Sequence, residues 1–425
     1  MRAERLRPRS SRRAGGPVRL AVLTAAAVTA LAACGSSDSA AGGGGTAGGS
    51  STGAKRPAPP SVPMAQSLGA GEGQVNLVNW PGYVVKASKA GDPDWVTPSE
   101  TASGCKVNSK DAGSSDEMVT LMKTGQYDGV SASGDATLRL IYSGDVAPVN
   151  TKLVPNYETV SPFLKDRPWN SVQVNGASQM YGIPHGWGAN VLMWNQDVVK
   201  TPPDSWGVVF DANSPYKGKI TAYDSPIYIA DAALYLKATK PELKITNPYE
   251  LDDTQFNAAV DLLKQQRGIV GEYWSDATKN ISAYEAGSIV LGTTWQYNAN
   301  AIGAGKKVKV GTVVPKEGST GWSDTWMISS ESKNPNCAYA WMDYIAGPTA
   351  NAASAEWFGE APANAKACEK TADKSFCDTF HAADKAYSDK IWYWTTPVKQ
   401  CLDGRKGSTC TDYGQWTQAW TEIKG

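Results

Sequence analysis

Strand-like and helix-like segments alternate along the chain from residue 74 onward. Residues 75–79, 105–108 and 129–131 have the composition of strands, whereas Ser114 and Glu117 have the spacing of a helix-capping box. This alternation predicts an α/β fold with largely parallel sheets. The length of 425 residues is sufficient for two domains, each with a core of its own.

The first 33 residues predict an export signal. An arginine-rich start precedes residues 20–33, an uncharged run of fourteen residues that is too short to span the hydrocarbon core of a bilayer. Residues 31–35, Leu-Ala-Ala-Cys-Gly, match the bacterial lipobox, so we expect Cys34 to be lipidated and to become the mature N-terminus. A secreted soluble protein with an incidental cysteine is the alternative, and both the general and the twin-arginine export routes remain open.

Residues 34–73 connect this leader to the body of the chain. They consist largely of Gly, Ser, Ala, Thr and Pro, and they cannot bury enough apolar surface to offset the entropy lost on ordering. We therefore expect a flexible tether that holds a folded body at the outer face of the bacterial cell membrane.

The charge of the chain is unevenly distributed. The total is zero, but the residues before Cys34 carry a net charge of +6, so the remainder carries −6. An acidic body argues against nucleic-acid binding, which needs clustered Lys and Arg, and it is compatible with a cationic ligand. Two histidines and the absence of a C-x-x-C motif argue against a zinc site or a histidine-dependent hydrolase. We expect no metal, no cofactor and no catalytic residues.

Six cysteines remain when Cys34 is set aside, and an even number in an exported chain predicts disulfides. Two pairs are close in sequence, and the third pair follows by elimination, although other connectivities remain possible. The expected bridges are Cys368–Cys377, Cys401–Cys410 and Cys105–Cys337.

Candidate binding groups lie at the ends of three predicted strands. They are Asn79-Trp80, Ser133-Gly134-Asp135 and Thr294-Trp295. Ligands of open α/β sheets bind beyond the carboxyl ends of the strands, so these groups predict one binding cleft. All sixteen tryptophans lie after residue 79, a surplus that aromatic contacts in a cleft would explain.

A series of short motifs runs in the same order as in a known family. The motifs are Val78-Asn-Trp-Pro-Gly-Tyr-Val84, Tyr127-Asp-Gly-Val-Ser-Ala-Ser133, Tyr181-Gly-Ile-Pro-His-Gly-Trp-Gly188, Ser214-Pro-Tyr-Lys-Gly-Lys-Ile220, Pro315-Lys-Glu-Gly318 and Trp322-Ser-Asp324. From about Val75 to the C-terminus, the chain resembles the spermidine/putrescine substrate-binding proteins of ABC importers.

The resemblance implies a two-lobed, periplasmic-binding-protein-like fold of type II, with the ligand cleft between the lobes. By analogy, lobe 1 comprises residues 74–185 and 325–425, and lobe 2 comprises residues 186–322. The Cys105–Cys337 bridge would then lie within lobe 1 and leave closure of the lobes free.

The resemblance also implies a set of ligand-binding residues. The positions that match the family are Trp80, Tyr83, Ser133, Trp295, Trp322 and Asp324. Indole faces pack on alkyl chains and attract ammonium groups, and a carboxylate accepts charge-assisted hydrogen bonds from them.

Several positions depart from the family pattern. Asp135 and Glu360 stand where the family has aromatic residues, and both are candidate ligand contacts. On the second lobe, Asp224, Ser225 and Tyr228 stand around a carboxylate pair of the family. The count of acids is thus similar while their positions shift, which fits a different cationic ligand.

Other aromatic residues have weaker indications. Trp394 lies near a further family contact and is an additional candidate, whereas Trp341 and Trp357 lie in helix-like segments and are expected to pack in the core. His185 is expected to be a structural hydrogen-bonding residue.

These observations predict a monomeric, lipid-anchored receptor that binds a small cationic, polyamine-like ligand and delivers it to the permease subunits of an ABC importer. One alternative is a binding protein for an amino-acid-like compound or a sugar. The other is an extracellular hydrolase with a carboxylate pair, which needs no local sequence motif.

Overall fold

The computed structural model describes residues 58–401, 405 and 409–425. The predicted export signal, the lipidation site Cys34 and residues 34–57 of the predicted tether lie outside the described residues. Within the described part of the chain, no helix combines the length and the apolar composition required to cross a bilayer.

The elements are numbered in chain order. The strands are β1 Gln74–Asn79, β2 Lys106–Asp111, β3 Gly129–Ala132, β4 Val146–Ala147, β5 Ser171–Val174, β6 Ala177–Met180, β7 Ile183–Asn195, β8 Ile220–Tyr223, β9 Val270–Trp274, β10 Leu291–Trp295, β11 Val310–Val313, β12 Ser319–Ser329, β13 Ala361–Pro362 and β14 Ile391–Tyr393. The α-helices are α1 Val96–Ser103, α2 Ser115–Met122, α3 Gly134–Ser143, α4 Gly207–Phe210, α5 Ile229–Thr239, α6 Asp253–Arg267, α7 Ala277–Ala286, α8 Gln296–Gly305, α9 Pro335–Ala346, α10 Pro348–Phe358, α11 Phe376–Thr379, α12 Lys385–Ser388 and α13 Tyr413–Lys424.

Two groups of strands meet at a central antiparallel pair. The strand order is β2-β1-β3-β12-β7-β10-β8-β9. Strand β1 pairs in parallel with β2 and β3, and β8 pairs in parallel with β9 and β10. The predicted α/β fold is confirmed, and each group of strands with its helices forms one of the two lobes.

The long strands β7 and β12 pass from one lobe to the other. Every residue of β12 is buried, and β7 is buried at all positions except the partly buried Gly188. Their antiparallel register shifts between Asp324 and Thr325, which marks a local irregularity beside the cleft. Glycines of β7 keep this crossing compact, because a Cβ atom on Gly188 would lie 2.7 Å from Cζ2 of Trp322.

The C-terminal helix packs on lobe 2, which differs from the expectation that residues 325–425 belong to lobe 1. Trp416, Trp420 and Ile423 of α13 are buried in one cluster with Phe256 and Leu263 of α6. Both helices begin with a complete capping box, in which an aspartate and a glutamine satisfy each other's backbone amides. The chain therefore returns to lobe 2 at its end, because the apolar face of α13 is covered there.

Residues 58–73 lie against lobe 1, so the expected tether boundary at residue 73 is too late. The Glu72 carboxylate accepts hydrogen bonds from the backbone amides of Asn336, at 3.1 Å, and Cys337, at 2.9 Å. The Ala65 carbonyl accepts from the side-chain amide of Asn150 at 3.0 Å. The Glu72 bonds connect the segment to the start of α9 and the Ala65 bond connects it to Asn150, so the segment is part of the folded body.

All three expected disulfides are formed: Cys105–Cys337, Cys368–Cys377 and Cys401–Cys410. Cys105 directly precedes β2, and Cys337 lies in the first turn of α9. Both residues are buried in the same lobe 1 cluster. This bridge therefore leaves the crossing strands free of a covalent link between the lobes.

Candidate functional site

A cavity of about 510 Å³ lies between the two lobes. Its wall is mostly aromatic, with a few polar groups and one buried carboxylate. The lining residues are Trp80, Pro81, Gly82, Gly113, Ser133, Tyr223, Ser275, Asp276, Ala277, Thr278, Trp295, Tyr297, Trp322, Asp324, Trp357, Phe358, Gly359 and Trp394. A volume of this size suits a small organic ligand.

The ends of the strands supply much of this wall. Trp80 follows β1, Ser133 follows β3, and Trp295 is the last residue of β10. The carboxyl ends of the parallel strands β1 and β3 meet at one edge of the lobe 1 sheet, and the end of β10 brings Trp295 of lobe 2 to the same cavity. The three strand-end groups predicted from sequence thus each contribute a residue to the same wall.

The tryptophans pack against one another as well as against the cavity. Trp295 and Trp322 have ring centroids 6.3 Å apart at an interplanar angle of 69°. Trp394 stacks on Tyr223 with centroids 5.6 Å apart. The indole nitrogen of Trp295 donates to Oδ1 of Asn190 at 3.1 Å, which fixes the ring orientation. These contacts hold the aromatic wall in place without a ligand.

Asp324 supplies the buried carboxylate that lines the cavity, and each of its two carboxylate oxygens accepts a hydrogen bond. Oδ1 accepts from the Ser133 hydroxyl at 2.5 Å, and Oδ2 accepts from the Tyr83 hydroxyl at 2.6 Å. The residue is 3% exposed. Burial raises the pKa of Asp324 to about 6, although both hydrogen bonds act in the opposite direction. At neutral pH, Asp324 is therefore a desolvated carboxylate suited to a cationic partner.

Tyr83 and Glu360 lie behind Asp324 and do not line the cavity. The Tyr83 hydroxyl is 2.8 Å from Oε2 of Glu360, and both residues are fully buried. His185, predicted to be structural, lies beside them, with Nε2 3.5 Å from Oε1 of Glu360 and 3.1 Å from the Ser354 hydroxyl. The structure thus places Tyr83 and Glu360, both predicted ligand contacts, one layer behind the cavity wall.

Asp135 is also set back from the cavity. It lies in the first turn of α3, and Oδ1 accepts from the Ser115 hydroxyl at 2.9 Å. Burial raises its pKa to about 6. Ser133 is the N-cap residue of this helix.

The three second-lobe candidates have other partners. Asp224 accepts hydrogen bonds from Lys424 Nζ, at 2.7 and 2.9 Å, and from the Trp420 indole at 3.0 Å. Ser225 caps the short helix at Pro226–Tyr228, and Tyr228 is buried and accepts from the Gln266 amide at 3.0 Å. None of the three lines the cavity. The structure therefore does not bring these three predicted ligand contacts to the cavity, and Trp420 and Lys424 of α13 bind the Asp224 carboxylate instead.

The lining residues that were not predicted include Tyr223, Asp276, Tyr297 and Trp357. Tyr223 ends β8 and Asp276 follows β9, so the strand-end rule would have found both had these strands been recognised. Trp357 was expected in the core, but it is 52% exposed at the end of α10. Trp341, the other expected core residue, is 1% exposed and agrees with the prediction.

The arrangement can bind an organic cation. Tryptophan faces attract ammonium groups and cover methylene chains, and a buried carboxylate accepts charge-assisted hydrogen bonds. Among the residues that the structure describes, no group of three or more His, Cys, Asp or Glu side chains is arranged to hold a metal ion. The groups that the cavity offers to a ligand are aromatic rings and a single buried carboxylate.

Comparison with known proteins agrees with this architecture. The putrescine-binding periplasmic protein SpuD of Pseudomonas aeruginosa is 27% identical over 290 residues, which are 64% of this chain and 74% of that protein. The putrescine-binding periplasmic protein PotF of Escherichia coli is 24% identical over 298 residues, which are 66% of this chain and 75% of that protein. The structure of a putative spermidine/putrescine ABC transporter protein from Listeria monocytogenes superposes with a TM-score of 0.66 and 20% identity, covering 83% of this chain and 99% of that one.

The family described as bacterial extracellular solute-binding protein matches residues 94–375, about two thirds of the chain. That range contains both crossing strands and the two carboxyl groups that contact Tyr83, those of Asp324 and Glu360. The chain belongs to the bacterial extracellular solute-binding proteins.

Proposed function

We propose that this protein is the solute-binding component of an ABC importer, and that its ligand is a small polyamine-like cation. The observation that carries the proposal is the position of Asp324, a buried carboxylate that lines a cavity walled by five tryptophans. A buried carboxylate without a cation is costly, and a cationic ligand would supply the missing charge.

The proposed binding mode follows from the wall. One ammonium group of the ligand donates hydrogen bonds to Asp324, while the alkyl chain lies between the faces of Trp80, Trp295 and Trp322. Each cation–π contact contributes about 0.5 to 2 kcal/mol, the larger values applying when water is excluded. Asp276 at the N-terminus of α7 is the acid that lobe 2 presents to the opposite side of the cavity. Closure of the lobes would exclude water and strengthen these contacts.

The relatives support the type of ligand, since SpuD and PotF are both named as putrescine-binding periplasmic proteins. We further propose that the protein acts as a monomer outside the cytoplasm, anchored through lipidated Cys34, and that it delivers its ligand to membrane permease subunits. The three disulfides support an oxidising compartment.

Calorimetric titration of the folded chain tests the ligand class. Putrescine and spermidine should bind with negative heat-capacity changes, because apolar surface of the tryptophans is buried. Neutral sugars and γ-aminobutyrate are the comparison ligands. Binding of a sugar with no response to any amine would refute the proposal.

The hydrolase alternative needs a separate readout. The protein is incubated with the bound amine for many hours, and the amine is then quantified by mass spectrometry. Full recovery is expected of a transport protein, whereas time-dependent loss that scales with protein concentration would favour catalysis.

A further inference from the structure

One hydroxyl hydrogen lies between two buried carboxyl groups. Tyr83 Oη is 2.6 Å from Oδ2 of Asp324 and 2.8 Å from Oε2 of Glu360. A tyrosine hydroxyl has a single hydrogen, so it can donate fully to only one of the two oxygens. The other short contact needs a second hydrogen, which a carboxylic acid can supply and a carboxylate cannot.

Nothing positively charged offsets two negative charges at this place. In the part of the chain that the structure describes, no lysine or arginine forms an ion pair with Asp324 or Glu360. His185 is the one ionisable base beside Glu360, and burial lowers its pKa to about 3, so it is neutral. Two ionised carboxylates on the same hydroxyl would therefore repel each other without compensation.

The surroundings of the two acids differ. Asp324 lines the cavity and accepts from two hydroxyl groups. Glu360 is packed against the backbone of β7, where a Cβ atom on Gly186 would lie 2.2 Å from its carboxyl carbon. Oε1 of Glu360 receives no hydrogen bond, and the side chain is fully buried. These differences favour the charge on Asp324 and the proton on Glu360.

We propose that Glu360 is a carboxylic acid whose O–H donates a hydrogen bond to the Tyr83 oxygen, while the Tyr83 O–H donates a hydrogen bond to Asp324, so that Asp324 alone carries the negative charge presented to the ligand. The inference rests on the proposed function, since it concerns the same carboxylate. Glu360 is then a positioning residue. It orients the Tyr83 hydroxyl toward Asp324, and it makes the end of the cavity a receptor for one cationic group.

The acid–base properties agree with this assignment. Burial, followed by the nearby Asp324 carboxylate, raises the pKa of Glu360 well above its usual value. Burial also raises the pKa of Asp324, to about 6, but the hydrogen bonds of Ser133 and Tyr83 counteract part of that effect. The proton therefore resides on Glu360 at neutral pH, and the pair holds one charge over the range in which Asp324 is ionised.

Conservative substitutions test the proposal. The side-chain amide of Glu360→Gln can donate to Tyr83 as the acid does, so this variant should bind putrescine within about threefold of the unmodified chain. Glu360→Ala removes the donor and should bind more weakly than Glu360→Gln. Asp324→Asn should lose at least about tenfold in affinity. If Glu360→Gln loses as much as Asp324→Asn while the unmodified chain binds, the proposal is wrong, because Glu360 then carries charge.

A second measurement does not depend on ligand binding. The infrared difference spectrum between the unmodified chain and Glu360→Gln at neutral pH should contain the carbonyl stretch of a protonated carboxylic acid. A carboxylate band in its place would overturn the proposal even if the variant failed to bind. Failure of the unmodified chain to bind any amine would instead refute the proposed function. The infrared spectrum would still show whether Glu360 is protonated.

Discussion

Trp295 and Trp322 meet edge to face in the wall of the cavity, with ring centroids 6.3 Å apart. Trp295 ends β10 of lobe 2, whereas Trp322 lies on β12, which crosses between the lobes. Both rings pack in the core cluster of lobe 2, whereas Trp80 packs against lobe 1, so the aromatic wall contains residues of both lobes that lobe movement can bring together or separate.

Substitution of a wall tryptophan should weaken ligand binding. We expect Trp295→Ala to reduce putrescine affinity at least tenfold, equivalent to about 1.4 kcal/mol, because stacking and cation–π contacts are lost. Calorimetric titration measures the change. Trp341→Phe is the matched control, since Trp341 is buried in the lobe 1 core away from the cavity. Equal affinities of Trp295→Ala and the unmodified chain would exclude this ring from the site.

The shape of the wall depends on a glycine of β7. Gly188→Ala would place its Cβ atom 2.7 Å from Trp322, so the ring must move toward the cavity. We expect a severalfold loss of affinity and a shift of tryptophan fluorescence in this variant. Gly303→Ala in α8, where a Cβ atom would meet nothing within 4 Å, should change neither. A normal titration and spectrum for Gly188→Ala would contradict this account of the crossing.

Ligand affinity should decrease in acid. The pKa of Asp324 is about 6, so the carboxylate is progressively protonated below that pH and loses its attraction for an ammonium group. Alkyl ammonium groups remain charged there, as lysine does. We expect affinity to fall by up to about tenfold for each pH unit below about 6, as measured by titration with urea unfolding as the control for folding. An affinity that stays constant from neutral pH to about pH 5 would argue against Asp324 as the charged partner.

The buried carboxyl group of Asp231 in lobe 2 should make the free energy of unfolding depend on pH. Asp231 accepts from the Thr320 hydroxyl at 2.9 Å, and burial raises its pKa to about 8. The folded chain therefore holds a proton between about pH 4 and about pH 8 that the unfolded chain releases, so the free energy of unfolding decreases as pH rises through this window. Asp231→Asn should remove up to about 1.4 kcal/mol per pH unit of that slope in urea unfolding. Identical slopes in both proteins would refute the assignment.

The long-range disulfide should stabilise the fold without affecting the ligand. Cys105 and Cys337 are separated by 232 residues in sequence, and replacing both with alanine should lower the free energy of unfolding by roughly 2–5 kcal/mol. Putrescine affinity should stay within about twofold, because the bridge lies in lobe 1 outside the cavity. Removal of Cys368–Cys377, with a separation of 9, should cost less stability. A large loss of affinity in the first variant would show that this bridge supports the cleft.

Much of the site could be predicted because it follows strand ends. Trp80, Ser133 and Trp295 each stand at or just after an apolar run that was recognisable in sequence, and these strand ends of the two lobes line the same cavity. Asp224 and Tyr228 could not be assigned correctly. Their partners Lys424 and Gln266 lie 200 and 38 residues further along the chain, and a local sequence pattern does not predict contacts at such separations.

The amino-acid sequence by itself determined the alternating α/β architecture, the even number of cysteines after Cys34 and the presence of rings and acids at strand ends, since these depend on local composition and spacing. Tertiary structure alone decided which acids face the cavity. Glu360 and Asp324 are equivalent as residue types, but packing against Gly186 buries one behind Tyr83 while the crossing of β7 and β12 presents the other. Charge in a low-dielectric cleft depends on such burial, and burial is a property of the assembled fold.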